Sequence, residues 1–183
     1  MENVFIFSMI DAATTENFKT SIENGYDLEE VLHFVEDEIQ KEKFREFYPD
    51  RKCYLWGEQE KNGANRSKWK TITEGDLLLG YREGLIVSTS YVLAKMDNPS
   101  LAIKVWGKYE EDPFRLMLFM TKPYLCKIKI VPQMFKYLDP EYTGFTKLNQ
   151  ENLKNIILHY GSLDEFTKFA LGQDFPFSLR HSL

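Results

Sequence analysis

The sequence predicts a mixed α+β domain, a small mixed sheet or partial barrel with helices packed on its outside. Short apolar runs rich in β-branched and aromatic residues recur at 4–10, 52–57, 77–81, 85–95, 114–120 and 124–131, as strands should. Stretches with apolar residues three and four apart interrupt them, as helices with one buried face should. The 183 residues, 43% hydrophobic and 15% aromatic, suffice for one core of ordinary size. No repeat, low-complexity tract or long linker divides the chain, so residues 1–183 read as one domain.

Taken in order, residues 4–10 form a buried first strand. Thr14 or Thr15 caps a short helix to about Ile22, and Gly25 ends it by tolerating a left-handed conformation. Asp27 caps a longer helix whose Leu28, Val31, Leu32, Val35 and Ile39 make one apolar stripe opposite an acidic face. Together these helices make an insertion spanning about 14–47. Residues 52–57 form a strand, and 58–67 a polar loop in which Asn62-Gly63 is a strong turn signal. A strand pair at 77–81 and 85–95 turns at Arg82-Glu83-Gly84. Asn98-Pro99 opens a helix to about Trp106, because proline suits a first helical turn. Strands at 114–120 and 124–131 follow around Lys122-Pro123. Beyond Pro132 come helices, with Leu153, Ile156, Ile157 and Tyr160 on one face and a second short helix at 164–171. These C-terminal helices span about 147–172, and the last residues read as a frayed end.

Composition excludes several classes of function. A net charge of −5 argues against indiscriminate coating of nucleic acid, which scales with basic groups in contact. The charge is segregated, however. Acids dominate residues 1–50, whereas 51–70 carries Arg51, Lys52, Lys61, Arg66, Lys68 and Lys70 against Glu58 and Glu60, and 122–136 has no acid. Such asymmetry permits a polyanion-binding face. Cys53 and Cys126 have neither disulfide-framework nor zinc-site spacing, which fits a reducing cytoplasm. The start lacks a basic signal region, and no apolar run approaches the about 20 residues of a membrane span, so a cytoplasmic protein without a membrane partner is expected. His33, His159 and His181 have no nucleophile or metal partner in sequence. There is no Gly-x-x-x-x-Gly-Lys loop and no dinucleotide fingerprint. The expectation is a binding domain with no catalytic residue, cofactor or metal of its own.

Aromatic residues beside basic ones carry the positive signal. Trp56 closes a strand and precedes a segment bearing Lys61, Asn65, Arg66 and Lys68, which juxtaposes a ring face with phosphate-binding groups. Gly57 would let a base approach the backbone. Trp69, followed by Ile72 and a strand, reads as core. Lys127 and Lys129, two apart on a strand, share one face and suit a phosphate backbone.

Four segments in this order, Tyr54-Leu55-Trp56-Gly57, Asn65-Arg66-Ser67-Lys68-Trp69, Gly75-Asp76-Leu77-Leu78-Leu79-Gly80-Tyr81 and Trp106-Gly107, resemble a known family. It is the N-terminal DNA-reading domain of archaeal-type McrB proteins, modification-dependent restriction factors of the PUA-like group that includes EVE, YTH and ASCH domains. The resemblance covers roughly residues 3–131 through short motifs. It implies a PUA-like (EVE/YTH-type) twisted partial β-barrel with flanking helices, and a pocket where a modified base flipped from the duplex lies between aromatic rings. Carried over, Trp56 is one wall, Gly57 offers backbone contacts, Trp106 is the second aromatic, and Ser8 and Asp11 contact the base edge. The acidic insertion and the lack of a third cage tryptophan depart from the pattern, with Tyr81 or Tyr91 as substitutes. Methylated adenine, methylated cytosine and hydroxymethylated cytosine all remain open as targets. The implied partners are modified double-stranded DNA, a C-terminal AAA+ GTP-hydrolysing motor and a McrC-like nuclease. Alternatives are an RNA-binding domain reading a modified or single-stranded base, an ASCH-like hydrolase using Asp11 or Asp76, and an interaction module built on the acidic helix 27–47.

Overall fold

In the computed structural model, residues 3–107 and 112–172 are described; the expected frayed end and His181 lie outside them. The sheet is organised by β5 (Leu85–Asp97), thirteen residues rich in Val, Ser, Thr and Tyr. One edge of β5 pairs with β4 (Leu77–Arg82). The other pairs first with β7 (Tyr124–Lys129) and farther along with β6 (Leu116–Met120). Beyond β6 lie β3 (Lys52–Glu58) and the short β2 (Tyr26–Asp27), and beyond β4 lie β1 (Val4–Ser8) and β8 (Phe145–Lys147). Only the β1–β4 pair is parallel among these ladders. The short β2 and β8 carry no pattern long enough to anticipate from sequence.

Phe7 of β1 stacks on Trp56 of β3, ring centroids 4.5 Å apart, although β4, β5 and β6 lie between those strands in the sheet. The sheet therefore curls until the two strands face each other. Alternation along β1 sorts its residues into two cores. Phe5 and Phe7 join Trp56, Leu55, Leu78 and Phe119, while Val4 and Ile6 join Leu77, Leu79 and Ile86. The second core is covered by α6 (Gln150–Tyr160) and α7 (Leu163–Leu171) through Leu153, Ile156 and Phe166.

Three local expectations need correction. Asp11, not Thr14 or Thr15, caps α1 (Ala12–Phe18): its carboxylate accepts from the Thr14 N–H at 2.7 Å while the Thr14 hydroxyl bonds back, a reciprocal capping box. The helix runs on through a π-helical turn, Lys19–Glu23, before Gly25 at φ +68°. The long helix expected after Asp27 is two. Asp27 caps α2 (Leu28–Leu32), the chain tightens as the Phe34 and Val35 N–H groups bond to Val31 and Leu32 carbonyls, and Asp37 caps α3 (Glu38–Phe47). The break leaves Ile39 71% exposed, outside the buried stripe of Leu28, Val31, Leu32 and Val35. Finally, only the first part of 58–67 is loop. Lys61, Asn62 and Gly63 turn the chain with positive φ, and α4 (Ala64–Lys70) follows, burying Asn65 and Trp69 one turn apart. The helix α5 (Pro99–Trp106) forms as expected, capped by Asn98.

Candidate nucleic-acid interface

The parallel pairing of β1 with β4 sets Ser8 beside Tyr81, so both strands end at the same edge of the molecule. Three connections meet there. The loop after β1 is held to β4 by the Met9 N–H, which donates to the Tyr81 carbonyl at 3.0 Å. The β4–β5 turn uses Glu83 at φ +50° and Gly84 at φ +80°. The segment 140–144 is tied down by the Tyr81 hydroxyl, which donates to the Pro140 carbonyl at 3.2 Å, and by the Ser8 N–H and hydroxyl, which both donate to the Gly144 carbonyl. Between them lies an open cleft of about 640 Å³. Tyr81 and Tyr142, buried and edge to face at 5.3 Å, line its inner side, and Ile10, Asp11, Arg82 and Glu141 line its mouth.

The electrostatics of this edge are mixed. Asp11 is held below the usual carboxylate range, first by the Thr14 backbone N–H, then by the Thr14 hydroxyl, with the Lys61 charge helping. Glu83 and Glu141 add negative charge, and Arg82 makes no ion pair among the described residues. Exposed Lys61 flanks the cleft, its Nζ 3.6 Å from where a Cβ would sit on Gly144. Lys129 pairs with Leu85, next to Gly84 of the turn, and Lys127 lies two residues back along the same strand.

Of the expected site residues, Asp11 lines this cleft, while Ser8 pairs with Tyr81, Lys61 approaches Gly144 and Lys129 pairs with Leu85 beside the turn. Asn65 and Lys68 lie behind the cleft as supports. The Asn65 amide donates to the Gln59 carbonyl at 2.9 Å, and the Lys68 ammonium donates to the Phe145 carbonyl at 2.6 Å. Arg66 points elsewhere, into an ion-pair network with Glu60 and with Asp97, which Arg115 also engages at 2.6 Å.

The two tryptophans do not form a sandwich. Trp56 is 1% exposed, stacked on Phe7, and its indole N–H donates to Glu58 Oε1 at 2.8 Å. Gly57, the next residue on the strand, faces the other way. A Cβ there would lie 2.2 Å from the Phe114 carbonyl oxygen and 2.5 Å from Trp106 Cζ3, so the missing side chain makes room for Trp106 rather than for a base. Trp106 is 9% exposed and donates to the Ser21 hydroxyl at 3.1 Å. The two indoles thus lie on opposite faces of β3. Trp69 is core, as expected, donating to the Met117 carbonyl at 3.2 Å. Tyr91 ties β5 to α7 through Asp164 at 2.6 Å.

Both carboxylates considered for hydrolysis are hydrogen-bonded within the fold. Asp11 is a helix cap, and Asp76, 1% exposed, accepts from the Asn3 N–H at 2.7 Å and the Thr73 N–H at 2.8 Å, pinning β1 against β4. Among the described residues no group of His, Cys, Asp and Glu could hold a metal ion, and no helix is long and apolar enough to cross a membrane.

Sequence reasoning missed Glu58 and Tyr142. Glu58 is buried between Trp56 and Asn65; burial pushes its carboxyl up to about 7, against the Trp56 N–H and the charges of Lys61 and Lys68. Its i, i+2 spacing from Trp56, which places both on one strand face, was the available signal. Tyr142 lies in no periodic element and carried none.

No protein-family model matches the chain, and neither does a curated protein. Among solved structures, the N-terminal domain of Thermococcus gammatolerans McrB bound to m5C DNA is similar, with a TM-score of 0.64 and 19% sequence identity over 85% of this chain and 95% of that one. A likeness at that identity is one of fold: the open, curled sheet with flanking helices is an architecture shared with a McrB N-terminal domain.

Proposed function

We propose that this domain reads duplex DNA carrying a methylated base, and that the base leaves the stack to enter the cleft where β1 and β4 end. The observation that carries the reading is the cleft itself. It has the volume of a small-molecule site and a lining that includes Tyr81 and Tyr142, the carboxylates of Asp11, Glu83 and Glu141, and the Arg82 guanidinium. The fold it sits in is like that of a domain bound to m5C DNA. The chemistry matches a base rather than a phosphate inside the cleft. Exocyclic amines of cytosine or adenine donate to carboxylates such as Asp11 and Glu141, and a methyl group adds apolar area against the tyrosines. Phosphates belong on the flanks, at Lys61, Arg82, Lys127 and Lys129. Extrusion costs a few kcal/mol, which these contacts offset.

The aromatic contact in this reading comes from Tyr81 and Tyr142, with Trp56 and Trp106 as scaffold. The curled sheet is then of the PUA-like kind shared by EVE and YTH domains. The domain is a binding module that directs a separate AAA+ motor and a McrC-like nuclease.

Fluorescence-polarisation titrations at fixed salt test the reading, with matched duplexes that are unmodified, cytosine-methylated or adenine-methylated, and a methylated single-stranded RNA. Tighter binding to one methylated duplex is the expected result. Equal binding to all duplexes, or tighter binding to the RNA, would sink it.

A further inference from the structure

Ile10 is 62% exposed between a buried strand and a capped helix. A single exposed aliphatic residue is ordinary on any protein surface. Two features set this one apart. It lines the cleft together with its neighbour Asp11 and with Arg82. It is also presented by an immobilised backbone: Met9 is bonded to β4, and the N–H groups of Ile10 and Asp11 both donate to the Thr14 hydroxyl at 3.2 Å. The loop is held to a strand on one side and to a helix on the other with Ile10 facing outward. Ile10 is β-branched besides, stiff at its first torsion, so little rotamer freedom remains to be lost on contact.

A base that leaves a duplex opens a gap in the stack, and proteins that deform DNA insert apolar side chains, isoleucine among them, between base steps. We propose that Ile10 is such a wedge, entering the stack where the base has left and holding the gap open while the cleft holds the base. The proposal rests on the base-reading function above. It gives a role to an exposed apolar group at a cleft that also holds Asp11, Arg82, Glu83 and Glu141.

The test compares wild type with Ile10→Ala and Ile10→Leu on three duplexes: one with the methylated base paired, one with the same base mismatched and so already loosened, and one unmethylated. Ile10→Ala should bind the paired methylated duplex about tenfold more weakly or worse, and the mismatched duplex with a much smaller loss. Ile10→Leu should recover most of the affinity, and weak binding to unmethylated DNA should not change. The exposed position leaves the fold intact, which thermal melting of the variants checks. A wild type with no preference for methylated DNA overturns the base-reading function and the wedge with it. A preference that Ile10→Ala keeps in full, or an equal loss on all three duplexes, overturns the wedge alone.

Discussion

Trp56 and Tyr81 each approach the end of a strand in one curled sheet, each beside a segment that turns the chain, yet they face different surroundings. At Trp56 every side is occupied: Phe7 stacks on the ring, Glu58 takes its N–H, and across the strand Trp106 fills the hollow left by Gly57. At Tyr81 the ring is packed against Tyr142, but the space beyond is an open cleft with charged walls. The difference teaches what makes an aromatic residue available. Both rings are buried; what differs is that Phe7 and Glu58 cover Trp56, whereas Tyr81 lines an open cleft.

The comparison breaks most readily at Trp56. Trp56→Ala should lose about 3–5 kcal/mol of stability in chemical denaturation, from a large cavity and from a buried Glu58 stripped of its donor. A variant that stays as stable as wild type and loses only its preference for methylated DNA would move the reading pocket to Trp56. Glu58 gives the next largest effect. Its folded-state pKa is raised, so its contribution favours folding at low pH and is lost as pH climbs from near the ordinary value of 4.5 through about 7, on the order of 3 kcal/mol. Denaturation curves across that window should show stability falling, and Glu58→Gln should flatten the fall.

Gly57→Ala comes third. A methyl group placed 2.2 Å from the Phe114 carbonyl should cost about 1–3 kcal/mol through overpacking while leaving DNA selectivity intact, since Gly57 serves Trp106. The smallest effect sharpens the other side. Lys61→Gln and Lys129→Gln should each reduce the slope of log affinity against log salt by about 1, equally for methylated and unmethylated DNA. Arg66→Gln should leave that slope unchanged, because Glu60 and Asp97 already hold the guanidinium.

How much of this was legible in the chain depends on how local the determinant is. The strands at 52–57, 77–81 and 85–95 and the helix opened by Asn98-Pro99 came from neighbouring residues and formed where expected. The helix after Asp27 did not, because its apolar stripe ran on while Asp37 supplied a second cap, and spacing alone does not say where a helix breaks. Of the residues singled out, Asp11 lines the cleft and Ser8 and Lys129 are brought near it by the β1–β4 and β5–β7 pairings, which no local pattern encodes. Trp56 and Trp106 were paired as walls on the family resemblance, which follows their order along the chain and not the faces they take. Strand alternation already placed Gly57 on the face opposite Trp56, but which face Trp106 would take depended on the path of α5. The cleft draws on residues near 10, 82 and 142, and only the folded chain brings these together.

The central claim is that the base is read at the end of β1 and β4 and not between the tryptophans. Amide chemical-shift mapping during titration with a cytosine-methylated duplex tests it most directly. The account predicts that the largest perturbations fall on Ile10, Asp11, Thr15, Arg82, Gly84, Thr143 and Gly144, with Gly57 and Trp106 nearly still. Perturbations concentrated at Gly57 and Trp106, with the cleft residues unmoved, would contradict it.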